Sequence, residues 1–164
     1  MSRNIGLFVD ISDLYIKVRR RYKNQRRLDF RKYYSFVEDL GGIQLAIAYG
    51  CQRGVEANGF KFLLSKIGFE PKFQNIGPNP NRDGPIRADW SVQMALDVAG
   101  NTPHFNTLVL GSSHKSLLPV VQWAKQRGLM VIILASGISP TMQRAANHSI
   151  EIPESLLCSN SEES

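Results

Sequence analysis

Three stretches hold the side chains able to do chemistry. The run "NIGLFVD" ends in Asp10, "ADWSVQMALDV" holds Asp89 and Asp97, and "SSHKSLLP" (112–119) follows the apolar "TLVLG". A carboxylate at the end of a buried strand needs a partner or an ion. Asp10 reads as such a functional acid, or as a turn and helix-capping residue beside Ser12. Asp97 reads as a functional acid or as a polar residue on a solvated helix face. Ser112, Ser113, Lys115 and Ser116 offer hydroxyls, backbone N–H groups and an ammonium at a helix start. That is the chemistry of an anion cradle, so Ser113, Lys115 and Ser116 are expected to touch phosphate. No second His or Cys stands near His114. It reads as a polar loop residue, a phosphate donor or a general acid rather than a metal ligand.

A fourth stretch offers charge. "KVRRRYKNQRR" (17–27) contains Lys17, Arg19, Arg20, Arg21, Lys23, Arg26 and Arg27 and no acid. Taking those seven charges from the net +6 leaves −1 for the rest of the chain. One segment therefore makes the protein basic. It reads as a solvated helix end or as a phosphate-contacting patch. Tyr15 and Tyr22 are interleaved with it, which suits stacking on unpaired bases or packing in the core.

These stretches need elements to position them. "NIGLFVD" is short, apolar and bounded by polar residues, as a buried strand is. Ile11, Leu14, Tyr15, Val18 and Tyr22 then recur on one helical stripe, with Ser12 as a candidate cap. A helix is expected over 29–42, a strand over 43–50, a helix over 55–68 and a strand over 69–76. Pro71 demotes that last strand to an edge. The Gly-, Pro- and Asn-rich 77–87 reads as a mobile loop over one end of the sheet. A helix over 88–100, the "NTLVLGS" strand, the "LLPVVQWAKQRG" helix and the "LMVIILAS" strand follow. "SPTMQRAANH" is a helix capped by Ser139, "SIEI" a last strand, and 153–164 a polar tail expected to be disordered. Alternating strands and helices predict a three-layer α/β/α sandwich with a mainly parallel sheet, one domain over 1–152. Ligands of such sheets sit beyond the carboxyl ends of the strands, where strand order reverses. Asp10 and residues 112–116 are both candidates for that position.

No apolar run reaches the roughly 18 residues of a membrane span. The apolar run at the N-terminus is short and ends in Asp10, unlike a secretory leader. Cys51 and Cys158 lack metal-ligand spacing, and a reduced cytoplasmic setting is expected.

Motif order and spacing over residues 4–152 resemble the NYN domain, in the LabA-like branch of the PIN-like nucleases. "LFVDISDLY" is similar to the family's opening, a strand ending in Asp with Asn three residues later. "IRADWSVQMALDV" is similar to its middle motif, a basic residue, Asp-Trp-Asp-Val and a helix with a second Asp. "GSSHKSLLPVVQWAKQRG" is similar to its third motif, Asp-Ser-Asp before an apolar pair and a helix ending in Gly. By this resemblance Asp10 and Asp97 are the retained acids and Asp13 stands where Asn is usual. Ser91, His114 and Ser116 stand where acids are expected. The resemblance implies metal-dependent RNA hydrolysis, with Mg²⁺ or Mn²⁺ held by Asp10, Asp13 and Asp97 and with Asp10, Asp97 and His114 catalytic. Mg²⁺ prefers oxygen ligands, usually one or two carboxylates with waters and phosphate. With acids gone from 91, 114 and 116, a second metal is not expected, and His114 would favour Mn²⁺. Asp89 is a possible substitute acid. It lies about 80° around a straight helix and roughly 12 Å along it from Asp97, so the two would not share one ion.

The expectation is therefore an RNA-binding, nuclease-like domain with weak or absent cleavage, with single-stranded RNA as partner and a homodimer as one option for assembly. An active endoribonuclease using Asp10 and Asp97, or a protein-interaction module, are the alternatives.

Overall fold

The computed structural model describes residues 2–52, 55, 58–76 and 88–159. The expected loop at 77–87 and residues 160–164 of the expected tail lie outside them.

Six strands form the central sheet: β1 (Asn4–Asp10), β3 (Gly42–Gln52), β4 (Glu70–Asn75), β5 (Thr107–Gly111), β6 (Met130–Ala135) and β7 (His148–Glu151). Their order is β4-β3-β1-β5-β6-β7, and every neighbouring pair is parallel. The helices are α1 (Ile11–Arg21), α2 (Phe30–Leu40), α3 (Asn58–Ile67), α4 (Ser91–Asn101), α5 (Leu118–Gln126) and α6 (Pro140–Ala145). Right-handed crossovers carry the chain from β1 outward to β4, then back across to β7, so the helices cover both faces. The packing agrees: α2 meets α3, and α5 meets α6.

β1 and β5 are the innermost strands, and their sequences say why. Ile5, Leu7, Phe8 and Val9 are buried, as are all five residues of β5. A strand covered on both faces reads as a continuous apolar run rather than an alternating one. Truncating one of these side chains, Leu108→Ala for example, costs about 2–5 kcal/mol. Pro71 lies in β4, which is an edge strand as its proline predicts. β1 pairs with β3 on one side and β5 on the other, and the direction of chain travel reverses between β1 and β5. The switch point therefore lies at Asp10 and residues 112–116.

Three features correct the sequence reading. β2 (Arg26–Leu28) pairs antiparallel with β8 (Leu157–Ser159), a small second sheet that periodicity does not reveal. The tail expected from 153 is ordered through 159, because Leu156 and Leu157 are buried and Asp29 N–H donates to Leu156 O. The cap of α1 is Asp10 rather than Ser12, since the chain is already helical at Ile11 and the Asp10 carboxylate accepts from Asp13 N–H. Ser139 caps α6 as expected.

Candidate active-site cleft and basic face

Asp10 leaves β1 extended (φ −90°, ψ 102°), which aims its carboxylate at the first turn of α1. One oxygen accepts from Asp13 N–H at 3.1 Å. Burial pushes the Asp10 carboxyl up to about 6; the Asp13 N–H opposes this, the Asp13 charge adds to it and His114 opposes it.

Asp13 sits one turn on and is 4% exposed. Its Oδ2 accepts from Ser113 N–H (2.9 Å), the Ser112 hydroxyl (3.1 Å) and the Ser113 hydroxyl (3.3 Å). Its Oδ1 makes no hydrogen bond among the described residues and lies 3.7 Å from Lys17 Nζ. Lys17 in turn donates to Ser113 Oγ at 2.7 Å. Two donors of the expected anion cradle, Ser112 and Ser113, thus already hold an anion, and it is the chain's own. This ties the start of α1 to the end of β5. The close approach at that end needs Gly111, where a Cβ would stand 2.4 Å from Val9 Cγ1 and 2.6 Å from the Tyr33 hydroxyl.

Asp97 faces elsewhere. Its Oδ2 accepts from the Tyr49 hydroxyl (2.7 Å) and Lys72 Nζ (2.9 Å), and its Oδ1 from Gln93 Nε2 (3.1 Å). Burial opposes its charge, but hydrogen bonds from Lys72, Tyr49 and Gln93 hold it below the usual carboxylate range. Burial also pushes the Tyr49 phenol far up, so it remains a donor. Neither Lys72 nor Tyr49 carries a sequence signal linking it to Asp97; the register between β3 and β4, which sets Tyr49 opposite Lys72, brings them there.

A cleft of about 150 Å³ opens at the switch point, lined among others by Asp10, Asp13, Asp89, Trp90, Ser91 and His114. Asp97 is not part of its lining. On its rim the three positions where acids are expected meet one another. His114 Nδ1 lies 2.5 Å from Ser116 Oγ, Ser116 Oγ contacts Ser91 Oγ, and Ser91 Oγ donates to Asp89 Oδ1 at 2.5 Å. Ser91 N–H also donates to Asp89, and these two bonds hold the Asp89 carboxyl below its usual range. Asp89 precedes α4 and turns into the cleft while Asp97 turns out of it, so the two acids act apart.

The basic segment forms the opposite kind of surface. Arg20, Arg21, Lys23 and Arg26 are exposed. Tyr15 is 40% exposed and stands between two concavities. One, of about 500 Å³, is lined by Tyr15, Arg27, Arg31 and Phe60 among others; the other, of about 600 Å³, by Tyr15, Arg19, Arg20 and Lys23. Arg19 lies 5.2 Å from the Tyr15 ring centre and donates to its hydroxyl at 3.3 Å. Arg21 pairs with Glu151 at 3.1 Å. Of the expected cradle residues, Ser113 is buried on Asp13 and Ser116 is engaged by Ser91 and His114, while Lys115 is exposed. Cys51 and Cys158 are both free thiols.

A parallel sheet sandwiched by helices, with an acid-lined cleft at the β1/β5 switch, defines a PIN-like, nuclease-type fold. The NYN domain model matches residues 4–156, and the chain belongs to that family. It is similar over its whole length to a crystal structure of a protein of unknown function from Vibrio parahaemolyticus. That likeness has a TM-score of 0.83 at 22% identity, covering 96% of this chain and 97% of the other. No curated protein matches the chain. Among the described residues no helix is long and apolar enough to cross a membrane.

The divalent metal that the resemblance implies is a poor fit to these donors. Two of its three expected ligands, Asp13 and Asp97, each hold a lysine ammonium, and Asp97 lies outside the cleft. Among the described residues no group of three His, Cys, Asp or Glu side chains is gathered to hold an ion. Asp10, Asp13 and Asp97 are not brought together as one ligand set.

Proposed function

We propose that the protein binds single-stranded RNA across its α1–β2 face, leading toward a cleft whose metal chemistry is weak or absent. The observation that carries this reading is Tyr15, exposed between two grooves that each carry arginines. An aromatic ring flanked by cations is what unpaired nucleic acid needs: a stacking surface for a base and charge for the phosphates on either side. Lys17, Arg19, Arg20, Arg21, Lys23, Arg26 and Arg27 lie along α1, its C-terminal turn and β2, and Lys115 is exposed next in sequence to His114 of the cleft lining. The paired Asp13 and Asp97 support weak cleavage rather than a working metal centre.

Titrating a short single-stranded RNA at several salt concentrations tests this reading. Affinity should fall steeply as salt rises, and the triple variant Arg19→Gln, Arg20→Gln, Arg21→Gln should reduce the log–log slope by about 2, at roughly 0.7 per lost single-strand phosphate contact. Absence of binding at low salt would defeat it. A protein-docking reading has its own observation: Val92 and Leu96 are exposed beside an apolar groove formed by Ala95, Ala99, Pro119 and Trp123. On that reading Leu96→Glu changes the sedimentation behaviour of the protein and leaves RNA affinity intact.

A further inference from the structure

Tyr15 borders two grooves of different chemistry, and the two sides of its ring are not equivalent. Arg19 lines the groove of about 600 Å³ but not the one of about 500 Å³. Its guanidinium sits over the Tyr15 ring, 5.2 Å from the centre, and donates to the ring hydroxyl. One face of the ring is therefore taken by a cation of the chain itself. The side left to a ligand borders the smaller groove, which lies between α1 and α3. There α3 contributes Phe60, Leu63 and Ile67, all half-buried. The buried Phe30 meets Phe60 edge to face, ring centres 5.6 Å apart. Arg31 also lines this groove; it is exposed, and among the described residues its guanidinium makes no hydrogen bond or ion pair. The carboxylate in the lining, Asp29, is engaged as the cap of α2, accepting from Arg31 N–H at 3.0 Å and Lys32 N–H at 3.2 Å. The larger groove is the reverse in character: it presents Arg19, Arg20 and Lys23 and no acid.

We infer that the α1–α3 groove is a nucleobase pocket, in which an unpaired base stacks on the open side of Tyr15 against the apolar residues of α3. The base's own phosphate meets Arg31, and the neighbouring phosphate meets the Arg19, Arg20 and Lys23 groove. Small-ligand sites are mostly apolar concavities with a few polar groups that fix orientation, and this groove has that make-up. A bare phosphate gains nothing from Phe60, Leu63 and Ile67. An acyl chain needs neither a flat ring backed by a cation nor the second, cationic groove. A base with its phosphate uses all of them. The inference rests on the RNA-binding reading and adds which side of Tyr15 receives the base. The same chemistry is offered by a free nucleotide and by one unpaired residue of an RNA.

Cys158 is a free thiol in the lining of this groove and reports its occupancy; Cys51, on β3 and outside the lining, is the control. The full chain is alkylated with iodoacetamide in the presence of a short single-stranded RNA, an abasic oligomer of the same length, 5′-AMP or ribose 5-phosphate. Mass spectrometry reads each cysteine. RNA at ten times its dissociation constant should slow alkylation of Cys158 about 10-fold, since only the free protein reacts, and leave Cys51 unchanged. The abasic oligomer and ribose 5-phosphate, which carry phosphate without a base, should protect neither. Protection by RNA alone assigns the pocket to a base within a chain; protection by 5′-AMP as well extends it to free nucleotides. Leu63→Trp fills the groove and keeps every cation, so RNA affinity should fall about 10-fold with its salt dependence unchanged. An abasic oligomer that protects Cys158 as well as RNA does overturns the inference. So does RNA that is bound while Cys158 stays fully reactive, in which case the RNA-binding reading stands. If RNA is not bound and 5′-AMP still protects Cys158, that reading falls and the pocket remains. The footprint is read on the wild-type chain, so it decides the matter even where Leu63→Trp fails to fold.

Discussion

The two ends of α1 treat charge in opposite ways. At its N-terminus a buried carboxylate, Asp13, is surrounded by donors from the chain itself: two serine hydroxyls, one amide and the Lys17 ammonium. At its C-terminus and in β2, arginines line grooves, and Arg20, Lys23 and Arg26 reach solvent. The first region meets its charge from within the chain, although Asp13 Oδ1 faces Lys17 at 3.7 Å without a hydrogen bond among the described residues. The second has charge facing outward, which favours an anionic partner over self-association. The same eleven-residue helix therefore separates a structural electrostatic site from a recruiting one.

The largest expected effect breaks the first region. Asp13→Ala removes the acceptor of three hydrogen bonds and leaves Lys17 and the Ser113 N–H facing a void. Loss of one partner of a buried charge pair costs about 3–5 kcal/mol, and the quarter exposure of Lys17 places this case near the lower figure. Urea denaturation measures it. A loss below about 1 kcal/mol, the worth of an ordinary surface pair, would mean that the clasp at Asp13 is not structural.

Tyr15→Ala addresses the second region alone. A base stacked on an aromatic ring is worth about 1–3 kcal/mol, so RNA affinity should drop by about 5- to 150-fold. Chain stability should change little, since Tyr15 is among the exposed large side chains. Fluorescence anisotropy with a single-stranded RNA measures the first and thermal unfolding the second. Equal affinity would remove Tyr15 from the interface and leave charge as the whole explanation.

How much of this contrast the sequence discloses depends on how far apart the partners lie. Asp10, the parallel sheet and the switch point follow from unbroken apolar runs and alternating elements, which are local patterns. The basic face follows from eleven consecutive residues without an acid. What the cleft does with its polar groups is not local. Lys17 meets Ser113 across 96 positions and Ser91 meets Ser116 across 25, and neither pairing leaves a periodic trace. Asp97 meets Lys72 because two strands fall into one register. The β2–β8 sheet escapes for another reason: three-residue strands are shorter than any alternation that could reveal them. Residue types at a motif thus announce a site, while tertiary partners decide whether each acid is free to act.

Asp10 sharpens the comparison, because it shares the cleft with Asp13 but lacks a lysine partner. Its folded carboxyl is raised to about 6 from an ordinary 3.8. Below about pH 4 both folded and unfolded chains hold the proton. Between about 4 and 6 the folded chain keeps a proton that the unfolded chain has released, so stability falls as pH rises through this interval and stays lower above it. Asp10→Asn keeps the helix cap, since Asn accepts as well as Asp does. The variant should be more stable than wild type by about 1–2 kcal/mol at pH 8, less than the full shift implies because Asp10 is partly exposed, and equal to it near pH 4. Urea titrations at the two pH values measure this. A variant less stable at pH 8 would mean that the charged form of Asp10 has a partner in the folded protein.

The smallest expected effect is none, and it tests the lysine clasps directly. A ligand present at ten times its dissociation constant stabilises a folded protein by about 1.4 kcal/mol. For a chain of this size that amounts to about 3–6 °C in Tm, well within reach of calorimetry. If Lys17 and Lys72 already neutralise Asp13 and Asp97, millimolar Mn²⁺ leaves the Tm of the wild-type protein where it is. Lys17→Ala then offers the sharper comparison. Removing the ammonium uncovers a buried carboxylate beside Asp10, and Mn²⁺ should restore part of the stability that the substitution loses. A Tm rise with Mn²⁺ in the wild-type protein would instead mean that Asp10 and Asp89 close on an ion despite the clasps, and that the two ends of α1 differ less than their charges suggest.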